Sequence, residues 1–178
     1  MKQDLKKLEA SIRSIPDFPK PGILFRDITT LIKDRKALKL SVDLLHKKFK
    51  NKKIDKIVAV EARGFVLGAA LAYKLGCGVV LVRKKGKLPY KTISATYALE
   101  YGKDTLEVHQ DAIEPGERVL IVDDLLATGG TVSAVIDLVR QLKGTIIGIA
   151  FVIELFDLHG REKLKGYPVY SLVKFPGH

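Results

Sequence analysis

The 178-residue sequence has no tryptophan, one methionine, one cysteine and only 7% aromatic residues. A lone thiol, Cys77, cannot close an internal disulfide. That excludes a disulfide-stapled scaffold and makes the cytoplasm the default compartment. With so few aromatic rings there is no evident stacking platform for nucleic acid. No apolar run reaches membrane-spanning length, and the N-terminal MKQDLKKLEASIR is amphipathic rather than signal-like, so no membrane association is expected. The four histidines, His46, His109, His159 and His178, show no metal-ligand spacing with Cys77 or the carboxylates. Also missing are the Gly-x-x-x-x-Gly-Lys-Ser/Thr and Gly-x-Gly-x-x-Gly phosphate loops, a nucleophile elbow, internal repeats and low-complexity tracts.

What remains is a chain that is 47% hydrophobic, enough for one domain over residues 1–178 with its own core. The net charge is +11 and the isoelectric point about 9.7. Dispersed over surface-helix patterns such as LHKKFKNKK, these charges read as a solvated basic face rather than a nucleic-acid site. A positive cleft would also concentrate a polyanionic small substrate.

The central stretch is VLIVDDLLATGGT, residues 119–131. An apolar run short enough for a buried strand ends in two carboxylates, Asp123 and Asp124. Then come Ala127, Thr128, Gly129, Gly130 and Thr131, followed by apolar residues at helical spacing from Val132 to Leu142. Small residues let backbone N–H groups approach a ligand, and a helix N-terminus attracts an anion. The loop is therefore a cradle for a phosphate monoester. The two acids are placed to accept hydrogen bonds from neighbouring hydroxyls, and a phosphate beside vicinal hydroxyls describes a ribose 5-phosphate.

The flanking segments alternate. Helical spacing covers residues 2–14 and 34–50, and IDKIVAVEA (54–62) is a buried strand running into EARGF and a helix over 65–75. Arg63 in that turn suits a second phosphate group, and a surface ion pair accounts for it equally well from this stretch alone. A short strand at 78–82 precedes the basic segment RKKGKLPYK, and weak strands fall at 92–97 and 104–109. TIIGIAFVIEL is another buried strand, LHGREKL a short helix and YPVYSLVKF a last strand. Strands alternating with helices argue an α/β fold: a mostly parallel central sheet with helices on both faces. The proline-rich IPDFPKPGILFRDIT is irregular but too apolar for a solvated linker, so it is equally a core-flanking loop or the wall of a flat apolar pocket, within a small hood expected over residues 1–33. Residues 83–104, basic and glycine-hinged, are expected to form a flexible lid loop over a polyanion.

VLIVDDLLATGGT resembles the 5-phosphoribosyl-1-pyrophosphate (PRPP) motif of the type I phosphoribosyltransferases. With PDFPKPGILFRDIT, EARGF, RKKGKLPY, EYG and ELFDLHGREKL in order, nearly the whole chain is similar to that family's adenine-specific branch. The resemblance implies purine salvage, with adenine and PRPP giving AMP and pyrophosphate. It implies Mg²⁺ as cofactor, held through substrate and water with no direct protein ligand, and a homodimer that binds neither nucleic acid nor membrane.

Residue by residue, it places ribose and 5-phosphate on Asp123, Asp124 and Ala127 to Thr131. It places pyrophosphate on Glu61, Ala62, Arg63, Arg83, Lys84 and Lys87, with a non-proline cis peptide at Glu61–Ala62. Adenine falls at Leu24, Phe25, Arg26 and Leu155, Tyr101 in the lid, and Glu100 as the candidate for proton transfer at the purine. Alternatives are a phosphoribosyltransferase for another base, and a PRPP-sensing regulator that binds nucleic acid.

Overall fold

A computed structural model describes residues 2–98 and 102–177. Among the described residues a seven-stranded sheet runs in the order β5-β6-β4-β3-β7-β8-β9. Its parallel part is β4 (Gly78–Lys84), β3 (Lys56–Val60), β7 (Arg118–Leu126), β8 (Thr145–Leu155) and β9 (Val169–Phe175). β5 (Thr92–Ala98) and β6 (Lys103–His109) add an antiparallel hairpin at one edge, joined to β4 through Arg83↔Glu107 and Lys84↔Leu106. The expected mostly parallel α/β sheet is thus observed.

Helices cover both faces. Leu8 of α1 (Lys2–Ser11), Leu31 of α2 (Thr29–Lys33), Leu45 and Phe49 of α3 (Arg35–Phe49) and Leu67 and Leu71 of α4 (Arg63–Leu75) pack with Ile57, Ala59, Leu120 and Val122. The opposite face packs Val132, Val135 and Val139 of α5 (Gly130–Gln141) against Val58, Val60, Ile121 and Phe151. Central strands buried on both faces explain why their sequences are continuous apolar runs instead of alternating ones. α3 is capped as its sequence suggests: the Asp34 carboxylate accepts from the Ala37 N–H at 2.7 Å.

Some segments differ from expectation in form or extent. The helix over 2–14 stops at Ser11, although the apolar spacing continues through Ile12 and Ile15. Arg13–Ile15 instead forms β1, antiparallel to β2 (Phe25–Asp27), and Arg13 pairs with Asp27 at 2.5 Å. Ladder and ion pair outcompete one more helical turn and close the proline-rich segment into a hood. Within residues 83–104, the weak strands expected at 92–97 and 104–109 are present as β5 and β6, and Thr92 to Ala98 pairs residue for residue with β6, so the glycine-hinged loop expected there is shorter than its 83–104 span. LHGREKL is not one helix but two 3-10 turns, Phe156–Leu158 and Gly160–Leu164, separated by His159 at φ +52°.

Candidate active site

Strands β3 and β7 are parallel neighbours, paired from Lys56↔Val119 to Ala59↔Val122. Their carboxyl ends therefore release two turns side by side, EARGF and DDLLATGGT. Ligands in open α/β sheets bind at such ends. Here a cavity of about 560 Å³ opens there, lined by Glu61, Ala62, Arg63, Lys84, Tyr97, Asp104, Asp123, Asp124 and residues 125–132.

The 127–131 loop has the form its composition implies. Gly129 takes φ +79°, ψ 0°, a left-handed conformation costly for any side chain, and α5 starts at the next residue. Among the described residues, no protein acceptor is paired with the N–H groups of Thr128, Gly129, Gly130 or Thr131. Unpaired donors of this kind are costly unless water or a ligand takes them, and all four residues line the cavity.

Asp123 and Asp124 are buried, 8% and 6% exposed. Holding two carboxylates out of bulk water costs several kcal/mol each unless they are partnered. The rigid run before them supplies the frame, since Val119 to Val122 are fully buried at about 1.5–3 kcal/mol per side chain. Asp123 Oδ1 accepts the Asp124 N–H at 2.8 Å, and Asp124 pairs with Arg63 Nε. Burial first, and the Asp124 charge second, push the Asp123 carboxyl well above the usual carboxylate range; Arg63 opposes this. Donors such as ribose hydroxyls would favour the ionised form. Gly64 makes the meeting of the two turns possible: a Cβ there would lie 2.8 Å from Asp123 Oδ1.

The cationic end is built from pairs. Arg83 donates twice to Glu61, at 3.2 Å each, and once to the Lys87 carbonyl at 3.1 Å. The Lys84 N–H donates to Glu61 Oε2 at 3.0 Å, while its ammonium pairs with Asp104 at 3.2 Å. The hydrogen bond from Arg83 is the main reason the Glu61 carboxyl falls below its ordinary range. The Glu61–Ala62 peptide is cis, as expected.

Of the residues expected at pyrophosphate, Glu61, Ala62, Arg63 and Lys84 line the cavity; Arg83 and Lys87 stand behind Glu61 and do not. The base residues lie outside it. Phe25 is nearest, its ring 6.0 Å from the Arg63 guanidinium and edge-on to Phe18 at 5.2 Å. Arg26 turns inward, its guanidinium 4.5 Å over the Phe175 ring and bonded to Ser14 Oγ and the Pro176 carbonyl. Its two Nη atoms tie the hood to the C-terminal segment, while its Nε–H is buried with no hydrogen-bond partner among the described residues. Leu24 and Leu155 are half-buried and line no part of this cavity. Glu100 and Tyr101 lie outside the described residues.

Sequence reasoning missed Tyr97, Asp104 and Gly64. The Tyr97 hydroxyl donates to Asp104 at 3.4 Å, and its ring lies where a Cβ on Gly130 would meet it at 3.2 Å. Tyr97 and Asp104 are cross-strand partners, so only knowledge of the β5–β6 register could have joined them to the site. Gly64 stood inside the EARGF signature, and a glycine opening a helix at a strand end was the available signal. Among the described residues, no three His, Cys, Asp or Glu side chains gather to hold a metal.

Residues 29–176 match the family model described as the phosphoribosyl transferase domain. An adenine phosphoribosyltransferase from Escherichia coli is 58% identical over 178 residues, covering 99% of this chain and 97% of the relative. The crystal structure of adenine phosphoribosyltransferase from Thermoanaerobacter pseudethanolicus superposes with a TM-score of 0.93 at 55% identity, covering 96% of this chain and 99% of that one. The enzyme from Saccharomyces cerevisiae, solved with an imino-altritol bisphosphate and adenine, gives 0.91 at 41% identity, covering 97% of this chain and 100% of that one.

Proposed function

The chain belongs to the phosphoribosyl transferase family, and we infer from that premise that it is a pentosyltransferase making AMP and pyrophosphate from adenine and PRPP, a step of purine salvage. One observation carries the reading on the structural side. Four backbone N–H groups at residues 128–131, unpartnered among the described residues, line the same cavity as a buried acid pair and a cationic rim. A phosphate, a diol and a second phosphoryl group are what such a cavity can hold in that order.

The 5-phosphate takes the N–H groups and hydroxyls of Thr128 to Thr131. Asp123 and Asp124 accept from the ribose hydroxyls and orient the sugar. As the bond to pyrophosphate breaks ahead of bond making, the ring gains positive charge, and a preorganised carboxylate pair stabilises it without reorganising. Arg63 and Lys84 hold the departing pyrophosphate, backed by Arg83 and Lys87, with the turn at Glu61 and Ala62 beneath.

Adenine lies against Leu24, Phe25 and Leu155 and takes its polar contacts from backbone groups around Arg26, whose two Nη atoms are already bonded to Ser14 and Pro176. The hood over residues 1–33 and a lid within 83–104 close over the site, with Tyr101 in the lid. Glu100 transfers the proton at the purine imidazole nitrogen. In Glu100→Gln, an unchanged turnover and pH profile would exclude that role.

Mg²⁺ fits this site as an ion held through substrate oxygens and water. Four described acids line the cleft, and each is already committed: Asp123 to the Asp124 N–H, Asp124 to Arg63, Glu61 to Arg83 and Asp104 to Lys84. When bound, the ion neutralises charge on the pyrophosphate oxygens.

The assembly is a homodimer. Val66 and Tyr73 on α4 and Val79 and Leu81 on β4 are exposed and apolar, a surface suited to a second copy. No described helix is long and apolar enough to cross a membrane. The cytoplasm is the proposed location, since a substrate as highly charged as PRPP does not cross a bilayer unaided.

The deciding experiment is incubation with PRPP, Mg²⁺ and a mixture of free bases, then identification of the nucleotide formed. AMP alone supports the reading. Another nucleotide moves the chain to a different base, and salt-dependent nucleic-acid binding without any nucleotide product would favour a regulator.

A further inference from the structure

The turn that follows β8 has no part in the chemistry above, yet it touches the phosphate loop backbone to backbone. A Cβ on Gly129 would lie 2.6 Å from the Gly160 carbonyl oxygen. A Cβ on Gly160 would overlap the Ala127 carbonyl oxygen outright. Gly160 is buried, and His159 before it turns the chain with φ +52°.

This contact fixes where the loop's donors point. In a trans peptide the C=O and the following N–H face opposite ways. The only cis bonds among the described residues are Phe18–Pro19 and Glu61–Ala62, so the Ala127–Thr128 peptide is trans. Its carbonyl lies against Gly160, and the Thr128 N–H must therefore face away from that turn. Thr128 lines the cavity, which is the direction left to it.

The turn itself is clamped to the sheet. Arg161 donates to both Glu154 oxygens, at 2.5 and 2.7 Å, to Ser171 Oγ at 3.0 Å and to the Val169 carbonyl at 3.0 Å. Glu154 is 3% exposed, so this bidentate pair is held largely out of water. Glu154 is also the cross-strand partner of Leu126, the residue immediately before the loop. The clamp is thus anchored at the loop's own root, and Leu164 at the far end of the turn packs into the α5 side of the core.

We propose that the His159–Gly160–Arg161 turn is the back wall of the 5-phosphate cradle, and that Arg161, through Glu154, is a positioning residue for the amides of residues 128–131. This rests on the reading of that loop as the phosphate site. Gly160 works by having no side chain, since any Cβ would push the Ala127 carbonyl forward and rotate the donors off the ligand.

The test compares wild type with Gly160→Ala, Arg161→Lys and Arg161→Met. It reads KM for PRPP and for adenine, the dissociation constant of AMP, the inhibition constant of pyrophosphate, and Tm. In Gly160→Ala, KM for PRPP and the AMP constant rise about tenfold or more, because both ligands carry the 5-phosphate. Pyrophosphate inhibition and KM for adenine stay within about twofold. Arg161→Met behaves the same way with a lower Tm, and Arg161→Lys recovers part of the loss, since an ammonium keeps the charge but not the fork.

If Gly160→Ala does not fold, the Lys and Met variants carry the same comparison below their melting temperatures. Unchanged PRPP and AMP binding in the folded variants would overturn the proposal. So would an equal loss for pyrophosphate and adenine, which marks general damage. Failure of the cradle reading looks different: wild type itself would form no AMP and bind none, and the proposal would fall with it.

Discussion

The two ends of the cleft present hydrogen-bond donors by opposite means. At the loop end the donors are main-chain N–H groups of Thr128 to Thr131, fixed by Gly129 and the start of α5, with no acidic side chain among the described residues paired to them. At the other end they are side-chain cations, each with a resident carboxylate: Arg63 with Asp124, Arg83 with Glu61, Lys84 with Asp104. The first end is preorganised and has nothing to give up when a phosphate arrives except water. The second must exchange partners, so its net gain is the difference between two charge-assisted interactions. That arrangement suits a group which stays bound through the reaction at one end and a group which leaves at the other.

The largest expected effect tests the exchanging end. Arg63→Ala removes the guanidinium proposed to hold pyrophosphate and also strands the buried Asp124 charge. We expect kcat/KM for PRPP to fall about 10²- to 10³-fold, measured by pyrophosphate release. AMP affinity should fall far less, because AMP has no pyrophosphate. Equal losses for PRPP and AMP would erase the distinction between the ends.

The preorganised end is probed by Gly130→Ala. Its Cβ would meet the Tyr97 ring at 3.2 Å and the Ala98 carbonyl at 3.3 Å, so the loop must shift by a few tenths of an ångström. The expected loss is about tenfold, shared equally by PRPP and AMP and absent from pyrophosphate inhibition. A variant in which pyrophosphate binding weakens as much would show that the loop does not act alone on its phosphate.

How much of this contrast the chain shows on paper follows from where the determinants sit. The loop end was legible because it is local: buried strand, acid pair, small residues and helix lie within 13 consecutive letters, Val119 to Thr131. Arg63 was legible for the same reason, as part of a strand-turn-helix junction. Asp104 was not. It reaches Lys84 and Tyr97 only because β6 pairs antiparallel with β5 and touches the end of β4. Gly160 meets Ala127 and Gly129 across more than 30 positions of sequence, and no periodicity encodes that. The hood shows the converse failure. Leu5, Leu8, Ile12 and Ile15 keep helical spacing, but the β1–β2 ladder takes Arg13 to Ile15, the last turn of the pattern, for itself.

A gentler probe is salt. Side-chain ion pairs at a partly open rim are screened, whereas backbone donors in a fixed loop carry only partial charges. Raising ionic strength from about 0.05 to about 0.5 M should weaken pyrophosphate inhibition several-fold more than it weakens AMP binding. Parallel salt slopes for the two ligands would mean that both ends depend on mobile charge.

The smallest effect is on stability against pH, and here the two ends should differ in sign. Glu61 has its carboxyl lowered, chiefly by the Arg83 hydrogen bond. A depressed folded pKa gives stability that is present above the unfolded value and is lost as pH falls through the folded one. Asp123 has its carboxyl raised, chiefly by burial. A raised folded pKa favours the folded state below the unfolded value, and that advantage is lost as pH rises through the folded one. Thus Glu61→Gln should cost about 2–4 °C in Tm at neutral pH, a cost that disappears in acid. Asp123→Asn should instead gain on wild type as pH rises, because it removes a carboxylate that the fold prefers protonated. Thermal melts of the two variants from about pH 3 to pH 8 check this, and curves that move in the same direction would show that the acids at the two ends share one electrostatic environment.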